Sequence, residues 1–152
     1  MWEELRRFRA LPSQAQRLFL RAMVALPLLR VSLWRRGFQA TQESLCKRVG
    51  TPETYASSDG EQIAITVRMV RAAARHGFPS ASCLEESLAL WWLLARQGIA
   101  SELRIGVRKD AERIEAHAWV ERDGAALNEP LARHAHYAAF ETEFPLSRRE
   151  PR

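Results

Sequence analysis

Three stretches of the chain repeat apolar residues at helical spacing, and two later ones alternate them with polar residues. In the first, Ala15, Leu18, Phe19, Ala22, Met23 and Leu26 recur at i, i+3, i+4, i+7, i+8 and i+11, which is one face of an amphipathic helix. Ser13 followed by Gln16 predicts a capping box at its start. Pro27 lacks an N–H donor and is expected to break or kink the helix. A second apolar stretch, Leu28 to Trp34, is expected to stop at Gly37. Residues 38–57 have no clean period and contain Gly50, Pro52 and the pair Ser57–Ser58. They are expected to form a connecting segment with one short helix.

Ser58 with Glu61 predicts a second capping box, followed by Ile63, Val67, Val70 and Ala74 at helical spacing and closed by Gly77 and Pro79. A third box, Ser82 with Glu85, opens the most apolar helix, which closes at Gly98. Leu84, Leu88, Trp91, Trp92 and Ala95 line one face of it, and Ala89, Leu90, Leu93 and Leu94 cover much of the rest. A helix apolar nearly all round is buried on most sides, so this is the expected central helix. The period then drops to two: Leu103, Ile105 and Val107 alternate with polar neighbours, as do Ile114, Ala116, Ala118 and Val120. Asp110 to Glu112 links these strands, and Asp123–Gly124 signals a hairpin into a third short strand, Ala125 to Asn128. Helices first and an antiparallel meander second make an α+β fold. The tail, with Pro145 and Pro151, is expected to fray.

A chain of 152 residues fits one domain, and at that size about 68–70% of the unfolded surface is buried without a disulfide or metal staple. A composition of 47% hydrophobic and 27% charged residues excludes disordered, collagen-like and membrane-spanning classes. Two cysteines, Cys46 and Cys83, make no disulfide framework and no CxxC pair, which favours a reducing, cytoplasmic setting. The longest apolar run, Ala22 to Leu29, is bounded by Arg21 and Arg30 and falls short of the ~18–20 residues a membrane span needs. The net charge of +5 is uneven: residues 1–50 carry ten basic and three acidic side chains, and the remainder is net acidic. The arginines of the first third, among them Arg6, Arg7, Arg9, Arg17 and Arg21, therefore either form a solvated helix face or meet an acidic partner.

Cys83 falls at the first helical position behind the Ser82 cap, where unsatisfied N–H groups and the helix dipole favour a thiolate. Free cysteines are often inert packing, but one at the start of a buried helix is a candidate nucleophile. Such a thiol needs a base, and His117 sits mid-strand on the face that carries Glu115, Trp119 and Glu121. A helix-borne thiol followed by a strand-borne histidine is the order used by papain-like and transglutaminase-like folds. Cys46, in an irregular segment before Lys47 and Arg48, is expected to be an unspecialised thiol. His134 and His136 form an HxH pair without a third ligand, so neither a metal nor a cofactor is expected. His76 ends a helix, where its charge complements the dipole, and Trp91 and Trp92 are expected to be core or groove lining.

The stretch SASCLEESLALWWLLARQGIASELRIGVRK followed by EAHAWVERDG resembles the leader peptidases of lasso-peptide biosynthesis, also described as the transglutaminase-like C-terminal domain of the microcin J25 processing protein. The similarity is close over residues 60–130 and looser over QRLFLRAMVALPLLRVSLWRRG. It implies a cysteine protease that removes the leader from a ribosomally made precursor peptide, after which a separate asparagine-synthetase-like cyclase closes the ring. Carried over, Cys83 is the nucleophile and His117 the general base and later acid. The family's third residue is an aspartate about where LNEP lies here, so Glu129 or Asn128 takes that role. A three-residue hairpin loop would set His117 opposite Glu129, whereas a two-residue turn would set Asn128 opposite Trp119. The position of the family's acid favours the first, and a carboxylate stabilises an imidazolium better than an amide does.

The division expected from this is a basic helical segment, 1–57, for docking a partner or the leader, and a protease core, 58–152, within one domain. The chain starts directly with the arginine-rich helix, so it resembles the split form, whose leader-recognition protein is a separate partner. No nucleic-acid partner and no membrane span is expected. Two other functions compete: transglutaminase-type acyl transfer, which shares the first chemical step, and a non-catalytic peptide-binding module, which the presence of both Cys83 and His117 disfavours.

Overall fold

The computed structural model describes residues 6, 8–50, 58–77, 80–110, 113–128 and 138–139. Within them, three helices precede the sheet: α1 (Ser13–Lys47), α2 (Asp59–His76) and α3 (Cys83–Arg96). The strands are β1 (Glu102–Asp110), β2 (Arg113–Arg122), β3 (Ala125–Ala126) and β4 (Ala138–Ala139), all antiparallel and ordered β3-β2-β1-β4. The fold is α+β, with the helices first and one small antiparallel sheet after them.

Of the expected face, helix α1 buries Ala15, Leu18, Ala22 and Leu26, leaves Phe19 and Met23 half-buried at its edge, and adds Ala25 and Leu29. Pro27 does not break it. The ring lies on the exposed side, where water can satisfy the carbonyl that the missing N–H leaves behind. The interruption comes at Gly37, whose φ of 75° and ψ of −179° suit a residue without a Cβ. Buried Thr41 holds the bend by donating its hydroxyl to the Gly37 carbonyl at 2.7 Å, and Ser32 donates to the Thr41 oxygen at 2.8 Å. The expected cap at Ser13 is not formed. Pro12 occupies the N-cap position, and Gln16 instead donates to the carbonyls of Arg9 and Leu11.

Helix α2 starts at Ser58, whose hydroxyl accepts the Glu61 N–H. Its buried stripe is Gln62, Thr66, Met69, Val70, Ala73 and Ala74, so Ile63 and Val67 sit at the edge of the core rather than in it. The rotation is explained by a buried polar chain. Gln14 on α1 bonds Gln62, Thr66 donates to the Gln62 carbonyl at 2.7 Å, and Gln97 donates to Thr66 at 2.9 Å. Buried amides and hydroxyls are costly unless paired, so this chain fixes how α1, α2 and the end of α3 meet.

Helix α3 is the central helix, buried from Ser87 to Trp91 and from Leu93 to Ala95. Leu88, Leu90, Leu93 and Leu94 lose nearly all solvent contact, each worth about 1.5–3 kcal/mol. The helix closes at left-handed Gly98 (φ 73°), with Ile99 N–H bonded to Leu94 and Gly98 N–H to Ala95. Leu103 on β1 and its partner Val120 on β2 join the same core cluster.

The β2–β3 hairpin departs from the favoured register. Arg122 pairs with Ala125 and Glu121 with Ala126, so the turn is the two residues Asp123 and Gly124. Both have positive φ (52° and 76°), the type I′ geometry that matches strand twist and that an Asp-Gly pair adopts readily. The three-residue loop that would have set His117 against Glu129 is therefore not formed. Regular pairing in β3 stops at Ala126, short of the expected Asn128. Strand β4, against Gly106 and Val107, was not expected. The linking residues 111–112 and the tail beyond 139 lie outside the described residues.

Candidate active site

Ser82 forms a reciprocal capping box with Glu85. Its hydroxyl accepts the Glu85 N–H at 3.3 Å, and the Glu85 carboxylate accepts the Ser82 N–H at 2.9 Å. Cys83 is thereby fixed as the first residue of α3, and it is exposed although the helix behind it is buried. The cap is itself clamped. Arg30 on α1 donates from Nε and Nη2 to the two Glu85 oxygens, each at 2.9 Å, and from Nη2 to the Ser80 carbonyl at 2.7 Å. Burial alone would raise the Glu85 carboxyl. The Arg30 and Ser82 hydrogen bonds and the Arg30 charge outweigh it and hold the group below its ordinary value.

Ser87 lies one turn after Cys83, on the same stripe of the helix, about 5–6 Å along it. Its hydroxyl donates to the Ala118 carbonyl at 2.9 Å, joining α3 to β2 beside His117. Buried Asn128 completes the link. Its Nδ2 donates to the Ser87 oxygen at 2.9 Å, and its Oδ1 accepts the Val120 N–H at 2.8 Å. The amide thus takes the place of a backbone partner where β3 pairing ends. Arg71 on α2 donates to the Asn128 carbonyl at 2.7 Å, fixing the loop from a third element.

Moving outward from the Ser87–Ala118 bond, both elements emerge from the core. Val120, Trp119 and Ala118 are buried, His117 is half-buried, and Ala116 and Glu115 are exposed. On the helix, exposure is reached at Cys83, one turn from the bond. His117 stacks on Trp119 with ring centroids 6.1 Å apart, and the Trp119 indole N–H donates to Glu121 at 2.6 Å. Glu121 also pairs with Arg104 across the strand at 3.3 Å. Side-chain alternation puts His117, Trp119 and Glu121 on the face opposite Ala118 and Val120, and the bond from the helix to the strand is the one from Ser87 to the Ala118 carbonyl.

The other candidates fall away from this region or outside the described residues. Cys46 is half-buried near the end of α1, and burial pushes its thiol up. His76 ends α2 and meets Phe19 edge-on. Trp91 is core, and Trp92 carries the Arg96 guanidinium 5.3 Å from its ring centre. Glu129, His134 and His136 lie outside the described residues. Among the described residues no group of three His, Cys, Asp or Glu could hold a metal, and no helix is long and apolar enough to cross a membrane.

Two contributors, Ser87 and Arg30, are absent from the sequence analysis, and Asn128, named there as a candidate for the third role, is the link between Ser87 and Val120. The signal for Ser87 is a lone hydroxyl at i+4 from Cys83, directly before the apolar run Leu88 to Ala95, since a buried hydroxyl requires a partner. Arg30 had no signal separate from the other arginines.

A family model described as the transglutaminase-like superfamily matches residues 22–142, from the middle of α1 through the sheet and across the 57/58 boundary. No curated protein and no solved structure matches the chain.

Proposed function

The chain belongs to the transglutaminase-like superfamily, whose members are commonly cysteine peptidases or acyltransferases, and on that premise we propose that it removes the leader from a lasso precursor peptide. The observation that carries the reading is the exposed Cys83 at the clamped and capped start of a buried helix, tied through Ser87 to the strand that bears His117.

The Cys83 thiol gives its proton to His117, and the sulfur attacks the scissile carbonyl carbon. The Cys83 N–H, aimed along the helix axis, is the first donor to the oxyanion that forms. The C–N bond breaks, the amine leaves with a proton from His117, and a thioester remains. Water that has given its proton to His117 then attacks the thioester, releasing a leader carboxylate and restoring the thiol. Glu129 is the proposed acceptor for the second imidazole nitrogen, because both ends of the neighbouring Asn128 amide are engaged by Ser87 and Val120. The partners that go with this reading are the precursor peptide, a separate leader-recognition protein and an asparagine-synthetase-like cyclase, in the cytoplasm.

The test is the mass of the product from precursor peptide incubated with the full chain and the small proteins encoded beside it. Two fragments that sum to the precursor plus one water support hydrolysis. A cross-link that has lost ammonia identifies acyl transfer in its place, and unaltered precursor sinks both.

A further inference from the structure

Helix α1 turns its small and aliphatic face into the core, and on the opposite side it exposes Leu20, Val24, Leu28, Val31 and Trp34. Spacings of four, four, three and three residues place these five in one stripe. Trp34 is 84% exposed and the others at least half. Single exposed apolar residues are ordinary, but a continuous stripe about four turns long marks an interaction surface.

The charges along the helix restrict the partner. From Ser13 to Gln42 every ionised side chain is an arginine: Arg17, Arg21, Arg30, Arg35 and Arg36. Arg17 is exposed near one end of the stripe, and Arg35 and Arg36 at the other. A second copy packed antiparallel on the stripe would set arginine against arginine at both ends, so the charge pattern opposes self-association. Position restricts it further. Arg30, which clamps Glu85 and Ser80 at the start of the Cys83 helix, stands one turn before Trp34. A surface on the same helix that clamps the start of the Cys83 helix suits a polypeptide, which can be led into a reaction site, better than a lipid face.

We propose that the Leu20–Trp34 stripe of α1 is a docking surface for an amphipathic polypeptide segment whose apolar ridge is flanked by Asp and Glu, and that this segment brings the substrate to Cys83. The delivery clause rests on the peptidase reading, whereas the docking surface does not.

The test uses the full chain and a fluorescein-labelled peptide about eighteen residues long, built of Leu at helical spacing with Glu at the flanking positions. Controls are the same peptide with Lys for Glu, and vesicles of phosphatidylglycerol and phosphatidylcholine. The Glu peptide is expected to raise anisotropy, to weaken as salt is added, and to bind about tenfold or more weakly to Trp34→Ala and to Leu28→Ser. Both residues are exposed, and circular dichroism checks that the variants stay folded. Equal binding of the Lys peptide, or binding unchanged in both variants, overturns the proposal. So does Trp34-dependent co-sedimentation with anionic vesicles in place of peptide binding, or a dimer that Trp34→Ala dissolves. Binding involves no chemistry, so Cys83→Ala should bind as the wild type does. A chain that binds but never cleaves retires the peptidase reading alone, and one that cleaves without binding retires the surface alone.

Discussion

Ser87 donates its hydroxyl to the carbonyl of Ala118, so the helix that begins at Cys83 is bonded to the strand residue next to His117. The same oxygen accepts from Asn128, so one buried hydroxyl serves as both donor and acceptor between three segments. Removing it in Ser87→Ala leaves a buried carbonyl and a buried amide without their partner. The expected cost is about 1–3 kcal/mol, read as a shift in the midpoint of denaturant unfolding. A domain of ordinary stability survives that loss, yet on the peptidase reading turnover should fall more steeply than the folded fraction, because the bond ties the helix that begins at Cys83 to the strand that bears His117. Turnover that tracks the folded fraction would make the bond structural only.

Cys83→Ala is expected to abolish cleavage while unfolding is little changed, since the side chain is exposed at a helix start whose cap belongs to Ser82 and Glu85. Cys46→Ala should keep activity within about a few-fold, because burial pushes that thiol up and keeps it protonated. A Cys83→Ala chain that cleaves at the wild-type rate ends the mechanism.

The Arg30–Glu85 clamp predicts a pH signature. The folded Glu85 carboxyl lies below its ordinary value, so its share of stability is complete above the unfolded carboxylate value of about 4.3 and is lost as pH falls through the lower, folded value. Glu85→Gln should therefore flatten the dependence of stability on pH below about 4–5. At neutral pH, Arg30→Ala frees the Ser80 carbonyl and the cap together, and it should lower kcat by roughly tenfold or more with little change in KM. Arg30→Lys recovers only part, because an ammonium cannot hold two carboxylate oxygens in a fork. An unchanged kcat in Arg30→Ala would show that the cap alone positions Cys83.

Local rules reached far into this fold. The Ser82–Glu85 box, the all-round apolar α3, its close at Gly98 and the alternating β1 and β2 each follow from neighbours within a few residues. What was misjudged depends on distant parts of the chain. The expectation that Pro27 breaks or kinks the helix weighs only its missing N–H, whereas its place on the water-facing side leaves the freed carbonyl within reach of solvent. Gln62 and Thr66 lie outside the apolar repeat of α2, and only Gln14 and Gln97, far off in the chain, give their buried polar atoms partners. Strand β4 is two alanines with no strand preference of their own, and only the edge of β1 makes them one. Of the candidate site, Cys83 and His117 stand out by residue type and order and Ser87 by its lone hydroxyl, while Arg30 stands out only through its contact across 55 positions.

The hairpin bears on the third member of the site. With the Asp123–Gly124 turn, Asn128 lies past the end of regular pairing and spends its amide on Val120 and Ser87. Its loss should act mainly through stability. Asn128→Ala strands the Val120 N–H and one Ser87 bond, about 1–3 kcal/mol, and its remaining activity should return when the assay is cooled toward full folding. The group that orients His117 behaves differently. An imidazolium formed during acylation needs an acceptor on its second nitrogen, and a carboxylate holds it better than an amide. Glu129→Gln keeps shape and length but removes the charge, so kcat should drop by orders of magnitude at every temperature, with unfolding unchanged. Glu129→Asp should keep part of the rate. If Asn128→Ala is instead dead while fully folded, and Glu129→Gln cleaves nearly as the wild type does, the orienting group is the amide, and Asn128 serves His117 as well as Ser87.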